Sequence, residues 1–194
     1  LNYYVDKGTL IEEHIPGIPG DQFITSYLNN PEFNKVRIAK ELVKFNHRCF
    51  VRLLGDMRSY NYVFDITPDF EEVQFRIRAI DFDQQSYEGR KTIYIPQFFK
   101  ENYPLVLLVQ EFLSPENIAQ YQEEERALMM RRSKAARQQL DDLLKVMCMD
   151  TISPPEKVMS LREELAEHYR VPEFKSCNSM GDIVRLSLDQ LYTL

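Results

Sequence analysis

The sequence predicts an α+β protein, mainly helical, with two short β-hairpins. Three observations carry that expectation. Strand-like runs face each other across turns at 2–15 and again at 62–80. From Leu105 onward, apolar residues recur at helical spacing behind Ser-Pro and Ser-x-x-Asp starts. Hydrophobic residues make up 44% and charged residues 28% of the 194 positions, which is enough to bury a core and too few charges for a disordered chain.

Taken in order, Asn2–Val5 and Thr9–Ile15 read as strands around Asp6-Lys7-Gly8, with Gly8 supplying the turn. Pro16-Gly17-Ile18-Pro19-Gly20 reads as a rigid, non-regular linker. Asp21 is the expected N-cap of a short helix reaching Leu28. Asn30 with Pro31 is expected to cap the next helix, which ends near His47. In that helix Phe33, Val36, Ala39, Leu42, Val43 and Phe45 form the buried face, while Lys35, Arg37, Lys40 and Lys44 form a solvated basic face. Tyr62–Ile66 and Val73–Ile80 make the second hairpin, with its turn at Thr67-Pro68-Asp69. Phe75, Ile77 and Ala79 alternate with polar residues, as a half-buried strand requires.

Leu105–Phe112 reads as an apolar helix. Ser114-Pro115 starts a charged helical stretch to about Met149, long enough to be broken in two. Its Glu123-Glu124-Glu125 and Arg131-Arg132 runs suit a solvated helix. Ser153-Pro154-Pro155 opens another helix, through Tyr169. Ser179-Met180-Gly181-Asp182 reads as a capping box for the last.

The formal net charge is −6, which argues against a sequence-independent nucleic-acid binder. Cys49, Cys148 and Cys177 are far apart and odd in number, so they read as reduced thiols of a cytoplasmic protein. His14, His47 and His168 are isolated and give no metal-ligand spacing. The longest apolar run, Leu105–Val109, is far short of a membrane span.

The chemistry-bearing stretch is 50–90. Asp56, Asn61 five residues later, and Asp81 at the end of the next strand are the polar parts that phosphoryl transfer asks for. Such a site needs a carboxylate near the attacking hydroxyl and hard oxygen ligands for magnesium. Asp56 is the candidate base. Asn61 and Asp81 are the candidate metal ligands, with Asp83 as a further oxygen ligand. Arg58 is placed to set positive charge beside the transferred group.

The spacing Asp56-x-x-x-x-Asn61, followed by Asp81 after a hairpin, resembles the catalytic and metal loops of the protein-kinase-like superfamily. Ile80-Asp81-Phe82-Asp83, with Ser86-Tyr87 and Arg90 behind it, is similar to the small-molecule branch that holds choline kinases and aminoglycoside phosphotransferases. The resemblance covers residues 1–95. It implies a kinase-like C-terminal lobe at 21–194, with residues 1–20 as the last small-lobe strands and hinge and the N-terminal lobe largely absent. It also implies magnesium and ATP as cofactors and an unidentified hydroxyl acceptor as substrate. Four departures belong with it: Leu54 stands where such loops usually carry His, Lys91-Thr92-Ile93 after Arg90 are not acidic, the chain has no Trp for an aromatic cage, and no glycine-rich phosphate loop or nucleotide-binding Lys–Glu pair is identifiable upstream. The opening at Leu1, directly into a strand-like run, reads as the middle of a larger gene product that supplies the rest of an ATP site.

Two other readings follow from the same residues. One is a non-catalytic kinase-like module that meets a protein partner through the 114–149 helix. The other is a helical regulatory protein in which these acids only terminate strands and turns.

Overall fold

In the computed structural model the described residues are 3–6, 9–12, 14–70, 73–149 and 153–193. The fold is α+β and mainly helical. Strands β1 (Tyr3–Asp6) and β2 (Thr9–Glu12) pair antiparallel, with Asp6 opposite Thr9. The expected turn residues Lys7 and Gly8 lie outside the described residues.

The proline-rich linker is partly a strand. Ile18–Pro19 forms β3, which pairs antiparallel with Phe64 and Val63 of β4 (Tyr62–Pro68). The second hairpin therefore grows into a three-stranded sheet in the order β3-β4-β5, with β5 at Val73–Ala79. Pro19 is tolerated because β3 is an edge, where a missing N–H breaks no ladder. Pro68 pairs with Val73, so the hairpin connection starts after Pro68 rather than at Thr67. Behind β3, the short helix α1 (Gly20–Gln22) runs into a π-helical turn at Phe23–Tyr27. That turn sets the Phe23 ring flat on Phe64, with centroids 3.7 Å apart.

Helix α2 (Lys35–Arg52) organises the molecule. Its N-cap is Asn34, not Asn30: the Asn34 side chain accepts from Val36 N at 3.0 Å, whereas Asn30 bonds Glu32 N in a separate local turn. The helix also runs five residues past His47, to a left-handed stop at Leu53, φ 51°. A leucine there costs about 1–2 kcal/mol of backbone strain. The cost is offset by complete burial of its side chain. The first half of α2 packs Ile38, Leu42 and Phe45 against Phe64, Ile77 and Leu105. The second half presents Phe50 and Leu53 to a different core, built from Leu144, Leu161, Leu165, Phe174 and Ile183.

The remaining helices are α3 (Tyr103–Phe112), α4 (Pro115–Ala135), α5 (Arg137–Cys148), α6 (Pro155–Tyr169) and α7 (Met180–Asp189). The long charged stretch is indeed two helices, broken where Ala136 leaves helical geometry. Both capping boxes form, at Ser114 with Asn117 and at Ser179 with Asp182. Among the described residues no helix is long and apolar enough to cross a membrane.

The charged faces are less solvated than expected. Glu125 is only 1% exposed. It pairs with Arg76 through two hydrogen bonds of 3.2 Å and faces Arg48 Nη1 at 3.2 Å. Arg48 in turn donates to Glu41 at 2.6 Å, and Glu41 also accepts from Ile77 N at 3.0 Å. Two cations and two carboxylates thus tie α2, α4 and β5 together in the interior. Lys40 and Lys44 close on Glu124 at 3.0 and 2.7 Å, so part of the basic face is a helix–helix contact.

Candidate functional site

The site is built where α2 stops and the hairpin begins. Two loops, 53–61 and 80–86, run side by side and are stitched at both ends. At one end Ile80 N donates to Asn61 O at 3.0 Å, which continues the β4–β5 register by one step. At the other, Gly55 N donates to Gln84 O at 3.2 Å and Ser86 N to Leu53 O at 2.8 Å. The Gln85 side chain adds bonds to the Arg52 and Leu53 carbonyls. Gly55 makes the approach feasible, because a Cβ there would stand 2.9 Å from Gln84 O. Asp81 and Asp83 lie between the two stitches, opposite the segment that carries Asp56 and Asn61.

Within the first loop, Asp56 is itself left-handed, φ 53°. Asp tolerates this region better than most residues. Of the four non-glycine residues with positive φ among the described residues, Leu53, Asp56 and Ser86 fall in these two loops. Backbone strain of this kind concentrates at functional sites. Asn61 Nδ2 donates to the Asp56 carbonyl at 2.7 Å and lies 3.4 Å from Asp56 Oδ2. Both contacts use the nitrogen, so Asn61 Oδ1 has no hydrogen bond among the described residues. Asn61 is buried, and its amide is oriented by the two nitrogen contacts to Asp56.

Arg58 Nε donates to Asp56 Oδ1 at 3.0 Å and Nη1 to Glu101 at 3.0 Å, while its guanidinium lies over Phe99. Two carboxylates share its charge, so Arg58 steers the Asp56 carboxylate as well as adding positive potential. Asp81 Oδ1 accepts from Asp83 N at 3.2 Å, an Asx turn that orients the Asp81 carboxylate. Asp83 is exposed.

Sequence reasoning missed two positioning residues. Asn102 is fully buried and donates to Met57 O at 2.9 Å and Pro96 O at 2.8 Å, while accepting from the Tyr62 hydroxyl at 2.7 Å. It fixes the loop from below. Glu101 holds the far side of Arg58. Neither carries a local signal, because the loop residues they hold, Met57 and Arg58, lie more than 40 positions away. Tyr62 is fully buried in the core, as a packing role requires.

The donor set bears on what could bind. Among the described residues no three His, Cys, Asp or Glu side chains stand close enough to hold a metal ion between them. Asn61 Oδ1 and the Asp81 carboxylate are hard oxygen donors on adjoining loops. That set suits magnesium, which takes one or two carboxylates and keeps waters and phosphate oxygens for its other positions. The thiols do not compete: all three are free, and burial pushes Cys49 up to about 12. Comparison with protein-family models, with curated proteins and with solved structures gave no match to this chain.

Proposed function

We propose that this chain carries the acceptor and metal half of a kinase-like phosphotransfer site. The observation that carries the proposal is the orientation of Asn61. Its side-chain nitrogen is bonded to the Asp56 carbonyl, its side-chain oxygen takes no hydrogen bond among the described residues, and its backbone carbonyl accepts from Ile80 N, one residue before Asp81. One residue thereby fixes the candidate base and offers a ligand to a cation.

In this reading Asp56 accepts the proton of an acceptor hydroxyl as that oxygen bonds to the γ-phosphorus of a nucleoside triphosphate. The bond from that phosphorus to the leaving diphosphate breaks in line. The Arg58 and Asn61 contacts hold the Asp56 carboxylate for that transfer. Asn61 Oδ1 and Asp81 would hold magnesium, with Asp83 as a further candidate, and the ion would supply positive charge to neutralise the phosphates. A non-catalytic kinase-like module is the second reading. Leu54 favours it, because a fully buried leucine gives the loop no side-chain hydrogen bond where related loops have His.

The test is magnesium-dependent ATP binding and turnover by the protein, with Asp81→Asn as the variant. Asn keeps an oxygen for the Asp83 N–H, so the loop is spared. The expected outcome is loss of turnover on the order of 100-fold or more, with an unchanged melting curve. Unchanged turnover would remove Asp81 from this role. Absence of nucleotide binding by the folded wild type would leave the module reading.

A further inference from the structure

A cavity outside the candidate site lies between α2, α4, the end of α6 and the C-terminal turn. Its volume is about 400 Å³. That is within the range of small-molecule sites. None of Asp56, Asn61, Asp81 or Asp83 lines it. We propose that this cavity binds a small monocarboxylate with an apolar body, an aromatic or branched acid of about one ring.

Three properties of the wall point to that class. Its body is apolar, with Val43 and Val51 from α2 and Ile118 from α4. Its charge is one-sided: Arg126 lines the cavity and no Asp or Glu does. Its polar groups are not all used. His47 Nε2 is buried with no hydrogen-bond partner among the described residues. An unpaired buried polar atom costs about 1–3 kcal/mol.

Arg126 is held in advance for the task. Nε donates to Leu191 O at 3.0 Å and Nη2 to Gln190 O at 3.0 Å, so the plane of the guanidinium is fixed. Nη1 has a charged neighbour only at 3.6 Å, in Glu123, whose side chain is mostly in solvent. A fixed cation with an open edge binds a carboxylate without losing rotamer freedom. Asn46 and Gln97, by contrast, satisfy each other at 3.2 and 3.0 Å and act as wall. Burial lowers His47 below its ordinary value and Arg126 lowers it further, against the pull of Glu125. A neutral imidazole adds no second charge to the wall. Water is the competing occupant, since a polar cavity of this size can hold it.

The test is a chemical-shift titration of the isotope-labelled chain with benzoate and indole-3-carboxylate. Benzamide and benzylamine are the neutral and cationic counterparts. The acids are expected to give saturable shifts at Val43–Val51 and Gln190–Leu191, with the amide at least about tenfold weaker, the loss of one charge-assisted contact. Ile118→Trp fills the cavity from a partly exposed position and is expected to abolish the shifts with an unchanged circular dichroism spectrum. Arg126→Gln is expected to bring acid and amide to equal affinity. Absence of saturable shifts with either acid, equal binding of benzylamine, or full binding by folded Ile118→Trp overturns the proposal. The outcome does not depend on the phosphotransfer reading, because none of these measurements involves nucleotide or the Asp56 loop.

Discussion

Glu41→Gln should destabilise this protein far more than its conservative character suggests. The substitution keeps the shape and an oxygen able to accept from Ile77 N, which Glu41 bonds at 3.0 Å. It removes only the charge. In the native network Arg48 and Arg76 are balanced by Glu41 and Glu125, with the Arg48 to Glu41 contact at 2.6 Å and all but Arg76 nearly inaccessible. After the change, two guanidinium groups share the single carboxylate of Glu125. Breaking a buried pair by deleting one partner costs about 3–5 kcal/mol. Glu125 still serves Arg48, so the low end, about 3 kcal/mol, is expected. For a chain of this length that corresponds to a fall in melting temperature of roughly 6–12 °C. Urea unfolding and a thermal melt at pH 7 measure it. The companion is Glu41→Gln with Arg48→Met, which restores charge balance and leaves the two-bond Arg76–Glu125 pair intact. The double variant should lie about 2 kcal/mol above the sum of the singles. Additivity within about 0.5 kcal/mol, or a single-variant loss under about 1 kcal/mol, would refute the claim that the network acts as one charge-balanced unit. The stakes reach the candidate site, since Ile77 lies on the strand that leads to Ile80 and its bond to Asn61.

Two further outcomes follow from particular contacts. Hydrogen bonding from Lys44, aided by Lys40, holds the Glu124 carboxyl down at about 2, against the opposing effect of burial. A depressed folded pKa means that this contribution is fully present above the unfolded value of 4.5 and is lost as pH falls through about 2. Urea midpoints of wild type and Glu124→Gln should therefore differ at pH 7 and converge between pH 4.5 and 2; a gap that persists unchanged at pH 2 would contradict this. At Gly181 an added Cβ would overlap the backbone of Met147 and Cys148, where α7 starts against the end of α5. Gly181→Ala should cost about 3 kcal/mol, at the upper end for overpacking because the neighbours are main chain. A melt within a degree or so of wild type would show that the two helix ends can separate freely.

The sequence alone determined what depends on neighbours three or four residues apart. Ser114 and Ser179 cap helices because their hydroxyls reach N–H groups one turn ahead. The alternation at Phe75, Ile77 and Ala79 made a half-buried strand readable. The order Asp56, Asn61, Asp81 placed the candidate site at the junction of loop and hairpin. Local rules were weaker at the start of α2: Asn30 with Pro31 carried the capping signal, yet Asn30 bonds Glu32 N in its own turn and Asn34 caps the helix.

Tertiary structure decided what depends on residues far apart in the chain. It carried α2 on to Arg52, because Phe50 and Leu53 find a second core made by Tyr94 and by residues 90 and more positions later. It buried Glu125, which composition placed in solvent, because Arg48 and Arg76 meet it from two other elements. It brought in Asn102 and Glu101 to fix the Asp56 loop from more than 40 positions away. A hydrogen bond or ion pair across such distances has no periodicity to betray it. The chain can name the groups that carry chemistry, but only the folded core sets the direction in which Asn61 and Arg126 point.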